Sequence, residues 1–414
     1  MECGNWYNLV AMPKLRLVFF ISGFLFVAII GFFAIQYARG YRFDIKRFSF
    51  TPTGILVATS NPDAAQTFIN GKLVTATNEN LILAPGTVDV EIVKEGYWPW
   101  KKRLTIQASV VTKTDALLLP KAPTLAPLTF DGVTKTFISA DGTKLVWIVD
   151  KNQKEKAGLW LLELVNLPFG FAREARKITD EDLSEAKITW SPNGRELLVE
   201  KAKITFLLDL GTTTRQEEIV ALSPTRVNQI LSSWRVEEEK RQGAKIKNLP
   251  QVMQDILKRK AISFSFSPDE TRVLYKTNAP ATIPNNLIPS IPGSSTQKQE
   301  RDVKENRTYI YDIKEDQNFL ILEDSTDLVI GHATDIENSK KRLTWFPTSR
   351  HLTIAEADKI TIMEYDGTNK ITVWSGSYKA PLAFATPDGR QLIILTTLGA
   401  TDGNLPNLYT ISLK

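Results

Sequence analysis

The chain is poor in the residues that carry most chemistry. It holds one cysteine, Cys3, and two histidines, His332 and His351, among 414 residues. One cysteine excludes a disulfide within the chain in any compartment. Cys3 also precedes the long apolar run instead of following it, which is the wrong order for a lipidated cysteine. Two histidines would need carboxylates from elsewhere to hold a metal ion, and both read as ordinary strand or loop residues. There is no Gly-x-Ser-x-Gly elbow, no phosphate-cradling Gly-Lys-Ser/Thr loop and no His-Glu-x-x-His. The acidic cluster Asp180-Glu181-Asp182-Leu183-Ser184-Glu185 lacks the glycine and ligand spacing of a calcium loop, so it reads as a solvated loop. The net charge of +5 is modest, and no long basic stripe with interleaved aromatics points to nucleic acid. Catalytic, cofactor and metal residues are therefore all unassigned.

Charge is absent from Leu17 to Tyr37, where only Ser22 and Gln36 interrupt the apolar run. As a helix this run is about 31 Å long, enough for a hydrocarbon core of about 30 Å. It is too long for the apolar region of a cleaved signal peptide, and Gln36 before Ala38 spoils a small-residue cleavage site. The expectation is a short tail over 1–14, a transmembrane helix over 15–37 and a linker over 38–52. Lys14 and Arg16 precede the run, and Arg39, Arg42, Lys46 and Arg47 follow it. A bare count of these charges puts the C-terminal part in the cytoplasm, but long domains translocate largely regardless of flanking charge. Pro13-Lys14-Leu15-Arg16 also makes Met12 an alternative start.

Five segments share one pattern. They read Phe137-Ile138-Ser139-Ala140-Asp141-Gly142, Thr189-Trp190-Ser191-Pro192-Asn193-Gly194, Phe266-Ser267-Pro268-Asp269-Glu270, Trp345-Phe346-Pro347-Thr348-Ser349 and Phe384-Ala385-Thr386-Pro387-Asp388-Gly389. An apolar strand enters, a turn reverses it, and a second apolar strand leaves. Proline presets φ near −65°, Asp or Asn bonds its own backbone, and Gly accepts positive φ. A third short strand follows most copies, as in Gly158-Leu159-Trp160-Leu161-Leu162 and Leu408-Tyr409-Thr410-Ile411. A unit of this size recurs because it cannot bury its apolar face alone. The pattern resembles the WD40-like repeats of TolB-type β-propellers, over about residues 121–414. The fourth copy departs most, with Thr348-Ser349 in place of Asp-Gly. Five blades are legible, and a sixth, degenerate one stays open. The uneven spacing implies a helical insertion over 223–260 and a flexible, Pro- and Ser-rich loop over 278–306. Trp147, Trp160, Trp190 and Trp345 recur at strand positions and read as packing residues.

Between these parts lies a module over 53–120. Val88, Val90 and Ile92 alternate with Asp89, Glu91 and Val93, which marks a strand with one dry and one wet face. Asn70-Gly71 marks a tight hairpin turn. With Pro85-Gly86 and Glu95-Gly96-Tyr97, this succession resembles the PEGA domain, a small β-sandwich of surface-associated prokaryotic proteins. The tetrapeptide that names the family stands here as Pro62-Asp63-Ala64-Ala65. Alanine in place of glycine implies a turn that avoids positive φ at position 64. The overall expectation is a mostly β chain: transmembrane helix, PEGA sandwich, then propeller.

One segment is a candidate interaction surface. Tyr97, Trp98 and Trp100 stand beside Lys101, Lys102 and Arg103. Flat aromatic faces suit sugar rings or apolar partners, and cations suit acidic polymers or lipid headgroups. The plainer reading is that these aromatics pack at a domain boundary. The family resemblances imply an extracytoplasmic location and a binding or scaffolding role in the cell envelope. The expected partners are the membrane and an envelope protein, polysaccharide or peptidoglycan, with no cofactor. Two other classes stay open: a propeller enzyme, hydrolase or lyase, acting on glycans from the axial channel, and an accessory of envelope assembly or transport.

Overall fold

The computed structural model describes residues 12–44, 49–165, 174–289, 296–331, 339–398 and 405–414. Its chain divides into a smaller unit, Met1–Ile92, Lys101–Leu117 and Ser294–Thr296, and a larger one, Val93–Trp100, Leu118–Gly293 and Gln297–Lys414. The protein is mostly β, with one apolar helix near its N-terminus. His332 and Cys3 lie outside the described residues.

The smaller unit begins with that helix, α1 (Met12–Ala38). The stretch Arg16–Ala38 is long and apolar enough to cross a membrane, and none of it is buried in the protein. At its C-terminal end Phe33 packs edge-on against Phe43, and Phe32 against Phe50, at 5.7 and 5.6 Å between ring centres. Phe43 and Phe50 are cross-strand partners in the hairpin Tyr41–Asp44 and Ser49–Pro52.

Two sheets follow. In the first, Gly54–Asn61 lies between Glu79–Leu83, antiparallel, and Val111–Leu117, parallel. The second runs in the order Lys72–Ala76, Gln66–Ile69, Gly86–Val93, Trp100–Ile106. Alternation places Leu56 and Ala58 of one sheet, and Val90, Ile92, Leu104 and Ile106 of the other, in the interior. Asn70 and Gly71 both have positive φ, +49° and +77°, as a two-residue hairpin turn requires. Ala64 differs from expectation: its φ is +57°. The chain is fixed on both sides of it. Ser60 Oγ donates to the Pro62 carbonyl at 2.7 Å, and the Ala65 N–H donates to Thr77 Oγ1 at 3.1 Å. The flanking bonds hold the turn in the left-handed conformation although the residue is alanine.

Five sheets of three to five strands make up most of the larger unit. The first contains Lys135–Ile138, Lys144–Val149, Gly158–Glu163 and Arg176–Thr179. The second contains Lys187–Trp190, Glu196–Lys201 and Ile204–Asp209. The third contains Ala261–Phe266, Arg272–Thr277, Thr308–Asp312 and Gln317–Leu322. The fourth runs from Leu328–Ile330, parallel to Lys341–Trp345, through His351–Ala355 and Lys359–Glu364 to Ile371–Ser375. The fifth contains Ala383–Ala385, Gln391–Thr396 and Asn407–Ser412, and Leu125–Pro127 pairs with the last of these.

The repeated turn joins the entering strand to its partner in each sheet. In all five copies its fourth position has positive φ: Gly142, Gly194, Glu270, Ser349 and Gly389 lie between +58° and +70°. Asp141 accepts hydrogen bonds from Ser139 Oγ at 2.5 Å and from the N–H and hydroxyl of Thr143 at 3.1 and 2.9 Å. Asn193, Asp269 and Asp388 accept the equivalent hydroxyl and backbone N–H bonds in their own copies, and Asp269 also takes the Thr271 hydroxyl. In the fourth copy Thr348 Oγ1 accepts the equivalent backbone bond, from the Arg350 N–H at 3.4 Å, and meets His351 Nδ1 at 2.8 Å. His351 is buried there, its ring edge-on to Phe346.

Successive residues of the central strands enter different cores. Val146 and Ile148 pack with Leu197 and Val199 of the second sheet, while Leu145 and Trp147 pack with Phe384 and Ile393 of the fifth. Leu274 and Ile310 of the third sheet pack with Leu343 and Leu352 of the fourth. Strands dry on both faces read as near-continuous apolar runs, as Leu145-Val146-Trp147-Ile148-Val149 does. The other face of the third sheet is covered by helices.

These helices are α2 (Pro224–Lys247) and α3 (Gln251–Arg259). Ser223 caps α2 through the Arg226 N–H, and Pro224 occupies its first turn. Met253, Ile256 and Leu257 of α3 are buried against Val273 and Tyr275. Each such burial stabilises by roughly 1.5–3 kcal/mol. The segment expected as a flexible loop, 278–306, is paired at both ends. Ala281–Thr282 pairs with Asp302–Val303, and Ile283 and Val303 are buried. Apolar residues at 283 and 303 join the core that α3 forms on the third sheet, which the Pro and Ser content of the segment hides. Its middle, 290–295, lies outside the described residues.

Candidate functional site

The aromatic and basic run Tyr97–Arg103 does not form one surface. In the strand Trp100–Ile106 side chains alternate, so Trp100 and Lys102 are buried and Lys101 and Arg103 are exposed. The exposed cations pair with acids of the neighbouring strand. Lys101 Nζ lies 2.9 Å from Glu91, and Arg103 holds Asp89 through Nε and Nη2 at 2.7 and 2.9 Å. That fork lowers the Asp89 carboxyl below its ordinary range. Tyr97 is half-buried beside Pro120. Trp98 is the exposed aromatic, with Lys121 Nζ 5.9 Å from its ring centre. The recurrent tryptophans are packing residues: Trp147, Trp190 and Trp345 are buried, and the half-buried Trp160 donates to the Lys156 carbonyl at 2.8 Å.

The larger unit offers a more concentrated site. A cavity of about 860 Å³ is lined by the first strands of the first and second sheets and by the segments entering the fourth and fifth. Three lysines, Lys135, Lys187 and Lys379, and one carboxylate, Glu185, supply its charge among the described residues. Lys135 Nζ lies 3.4 Å from the Ala186 carbonyl, which ties the first sheet to the approach of the second. Lys187 is largely exposed and, among the described residues, pairs loosely with Glu200, at 3.7 Å. Thr134 and Thr136 donate their hydroxyl protons to the Ile148 and Val146 carbonyls, at 3.1 and 3.2 Å. Their oxygens keep lone pairs for a donor.

A second cavity, about 400 Å³, shares Thr189 with the first and is lined by the opposite ends of the same strands. Leu231, Trp234 and Glu238 of α2 line it from one side. Arg241 of α2 donates to the Pro192 carbonyl at 2.7 Å, which pins the helix to the turn of the second sheet. Among the described residues no group of three or more His, Cys, Asp or Glu side chains converges for a metal ion.

The lysines of the large cavity escaped the sequence reading, although a signal existed. Lys135 and Lys187 each stand four residues before the serine that opens the turn, and Arg342 holds the equivalent place before Phe346. Arg342 is buried, 5.2 Å from the Phe384 ring. Burial pushes its guanidinium down to about 10, which still leaves it charged at neutral pH. A repeated cation at one register position is visible once the copies are aligned. That the position faces a shared cavity is not.

Residues 53–121 match the family model of the PEGA domain. Among solved structures, the chain is similar to a putative TolB from Agrobacterium tumefaciens at 10% identity and a TM-score of 0.21, over 63% of this chain and 68% of that one. It is similar to TolB from Acinetobacter baumannii at 10% identity and a TM-score of 0.22, over 78% of this chain and 59% of that one. The pyranose dehydrogenase PQQ domain from Coprinopsis cinerea matches at 8% identity and a TM-score of 0.29, over 71% of this chain and 96% of that one. No curated protein matches the chain.

Proposed function

We propose that this chain is a membrane-anchored binding or scaffolding protein of the cell envelope, non-catalytic, with its two units outside the cytoplasm. In this reading α1 is the anchor, the PEGA module a spacer and the larger unit a closed five-bladed β-propeller. Three features support closure. The sheets share their cores face to face. Their entering strands line two cavities that share Thr189. Leu125–Pro127, from the start of the unit, completes the last sheet beside Asn407–Ser412.

The observation that carries the binding role is the lining of the large cavity, which combines three ammonium groups, hydroxyls and one carboxylate. A glycosidase uses two carboxyls about 5–9.5 Å apart, and among the described residues of the lining Glu185 is one. The lining suits holding an anion better than cleaving a glycosidic bond.

The test is cross-linking from a photoreactive residue at Ser339, which also lines the cavity, in native membranes. A discrete adduct with an envelope component, lost on reversing Lys135, Lys187 and Lys379 to glutamate, supports the reading. An adduct that survives the triple reversal, or no adduct, removes the cavity as the binding face.

A further inference from the structure

Resting on the reading of α1 as a membrane anchor, we propose that the hairpin Tyr41–Asp44 and Ser49–Pro52 is a lipid-contacting foot that seats the smaller unit in the bilayer surface. Helix length sets the depth. Counted from Leu17, a hydrocarbon core of about 30 Å takes up about 20 residues, to Gln36. Phe32 and Phe33 then lie about 5–6 Å inside the core boundary. Phe43 of the hairpin touches Phe33, and Phe50 touches both Phe32 and Phe33, with ring centres between 5.2 and 5.7 Å apart. The hairpin rings therefore share the depth of the helix rings. Interfacial elements bury their apolar faces by about 5–10 Å, so the two depths agree. The residues between the strands, 45–48, lie outside the described residues, but Lys46 and Arg47 among them are too costly at the bilayer centre and limit the foot to the surface.

The joint to the sandwich keeps that depth. Gly40, at φ +83°, ends α1 in the left-handed conformation, and its carbonyl accepts from the Thr53 N–H at 3.1 Å. Ser109 Oγ donates to the Arg39 carbonyl at 3.0 Å, and Thr51 Oγ1 donates to the Arg42 carbonyl across the hairpin at 3.2 Å. A second apolar patch starts beside this joint. Ile82, Ile55 and Val111 are cross-strand neighbours, all exposed, and Ile55 stands two residues after Thr53. Phe43 is exposed too, and its cluster is continuous with α1, whose span the protein leaves bare. The lipid around the helix is thus the cover nearest to these rings. A second copy of the chain is the other possible cover.

The experiment uses the full chain with Cys3→Ser, reconstituted in bilayers and labelled with an environment-sensitive fluorophore at one new cysteine. Phe43→Cys reports the foot, Phe26→Cys the middle of α1, and Glu217→Cys an exposed site of the larger unit. The label at 43 should lose most of its emission to a nitroxide high on the lipid acyl chain and little to aqueous iodide. The label at 217 should show the reverse. Quenching at 26 by a nitroxide near the acyl terminus, with 43 open to iodide, would overturn the foot and leave the anchor. No lipid quenching at either 26 or 43 would sink the anchor reading and the foot with it. A label at 43 spared by lipid and iodide alike would mean that a second copy covers the rings, and would also overturn the proposal. A photoreactive phenylalanine at 43 keeps the ring in case the labelled cysteine disturbs the hairpin. Lipid adducts there support the foot, and chain-to-chain adducts or none overturn it.

Discussion

Ser349 accepts a hydrogen bond from the Asp269 backbone N–H at 3.0 Å, so the turn of the fourth sheet is tied to that of the third. Ser349 replaces the glycine of the repeated pattern and keeps its conformation, at φ +61°. The departure exchanges backbone strain for a contact between sheets. The Ser349 carbonyl also accepts from Arg272 Nη1 at 3.3 Å, which strengthens the same junction.

Two substitutions separate these effects. Ser349→Ala keeps the strain and loses the hydroxyl, at a cost of roughly 1 kcal/mol. Ser349→Gly loses the hydroxyl but relieves the left-handed strain, which offsets roughly 0.5–1 kcal/mol. Thermal unfolding followed by tryptophan fluorescence should rank wild type and Gly close together, with Ala below both. Ala equal to wild type would mean the hydrogen bond contributes nothing.

Ala64 predicts the opposite sign. It holds φ +57° with no side-chain bond of its own to compensate. Ala64→Gly should stabilise the smaller unit by roughly 0.5–1 kcal/mol and so raise its unfolding midpoint. A lowered midpoint would show that the surrounding turn does not enforce the left-handed conformation.

The turn carboxylates predict a pH dependence. Burial pushes Asp141 up, but the Ser139 hydroxyl and the N–H and hydroxyl of Thr143 outweigh it and hold the carboxyl below its ordinary value. Asp269 is lowered in the same way by Ser267 and Thr271. A lowered folded value means stability that is present above the unfolded pKa, about 3.9, and lost as pH falls through the folded one. Asn193 shows that an amide serves the same turn. Asp141→Asn with Asp269→Asn should therefore cost roughly 1 kcal/mol or less per site at neutral pH. The gap to wild type should close as pH drops below about 4. A gap that stays constant down to strong acid would show that these carboxylates do not carry the acid sensitivity.

These cases show where the sequence was informative. The β character, the PEGA module and the apolar helix were legible because each rests on local periodicity or turn chemistry. Ala64 misled because its conformation is set by Ser60 and Thr77, which hold the chain on either side. The run Tyr97–Arg103 looked like one patch because proximity in sequence hides strand alternation. The basic cavity was hidden for the reverse reason: Lys135, Lys187 and Lys379 are far apart in the chain and meet only through the packing of whole sheets.

The anchor is tested by extraction. Alkaline carbonate should leave the full chain in the membrane, and removal of residues 1–40 should release a folded, soluble product. For topology, Cys3→Ser removes the one thiol, and Glu217→Cys places a new one at an exposed site of the larger unit. An impermeant maleimide should label it on intact cells. Labelling only after lysis would place the larger unit inside, as the flanking charges alone imply.

The excursion at 278–306 makes the last prediction. Arg301 donates to the Pro284 carbonyl at 2.6 Å and pairs with Asp316 at 3.2 Å. Asp316 is buried and also accepts from the Tyr311 hydroxyl at 2.8 Å and the Leu287 N–H at 2.9 Å. Burial and the neighbouring Asp316 both push the Tyr311 phenol up, so it stays a donor across the working range. One carboxylate thus holds the outgoing strand, the returning strand and the third sheet together. Trypsin should cut after the exposed Lys298 and spare the bond after Arg301, because a protease needs an extended, accessible backbone. Asp316→Ala should leave the Arg301 guanidinium and Leu287 N–H without this partner and open the second bond to cleavage. The nicked halves should stay together until denaturant is added, since Arg272–Thr277 and Thr308–Asp312 pair across the gap. Equal cutting at Lys298 and Arg301 in the unmodified protein would mean the Asp316 junction does not hold the returning strand in solution.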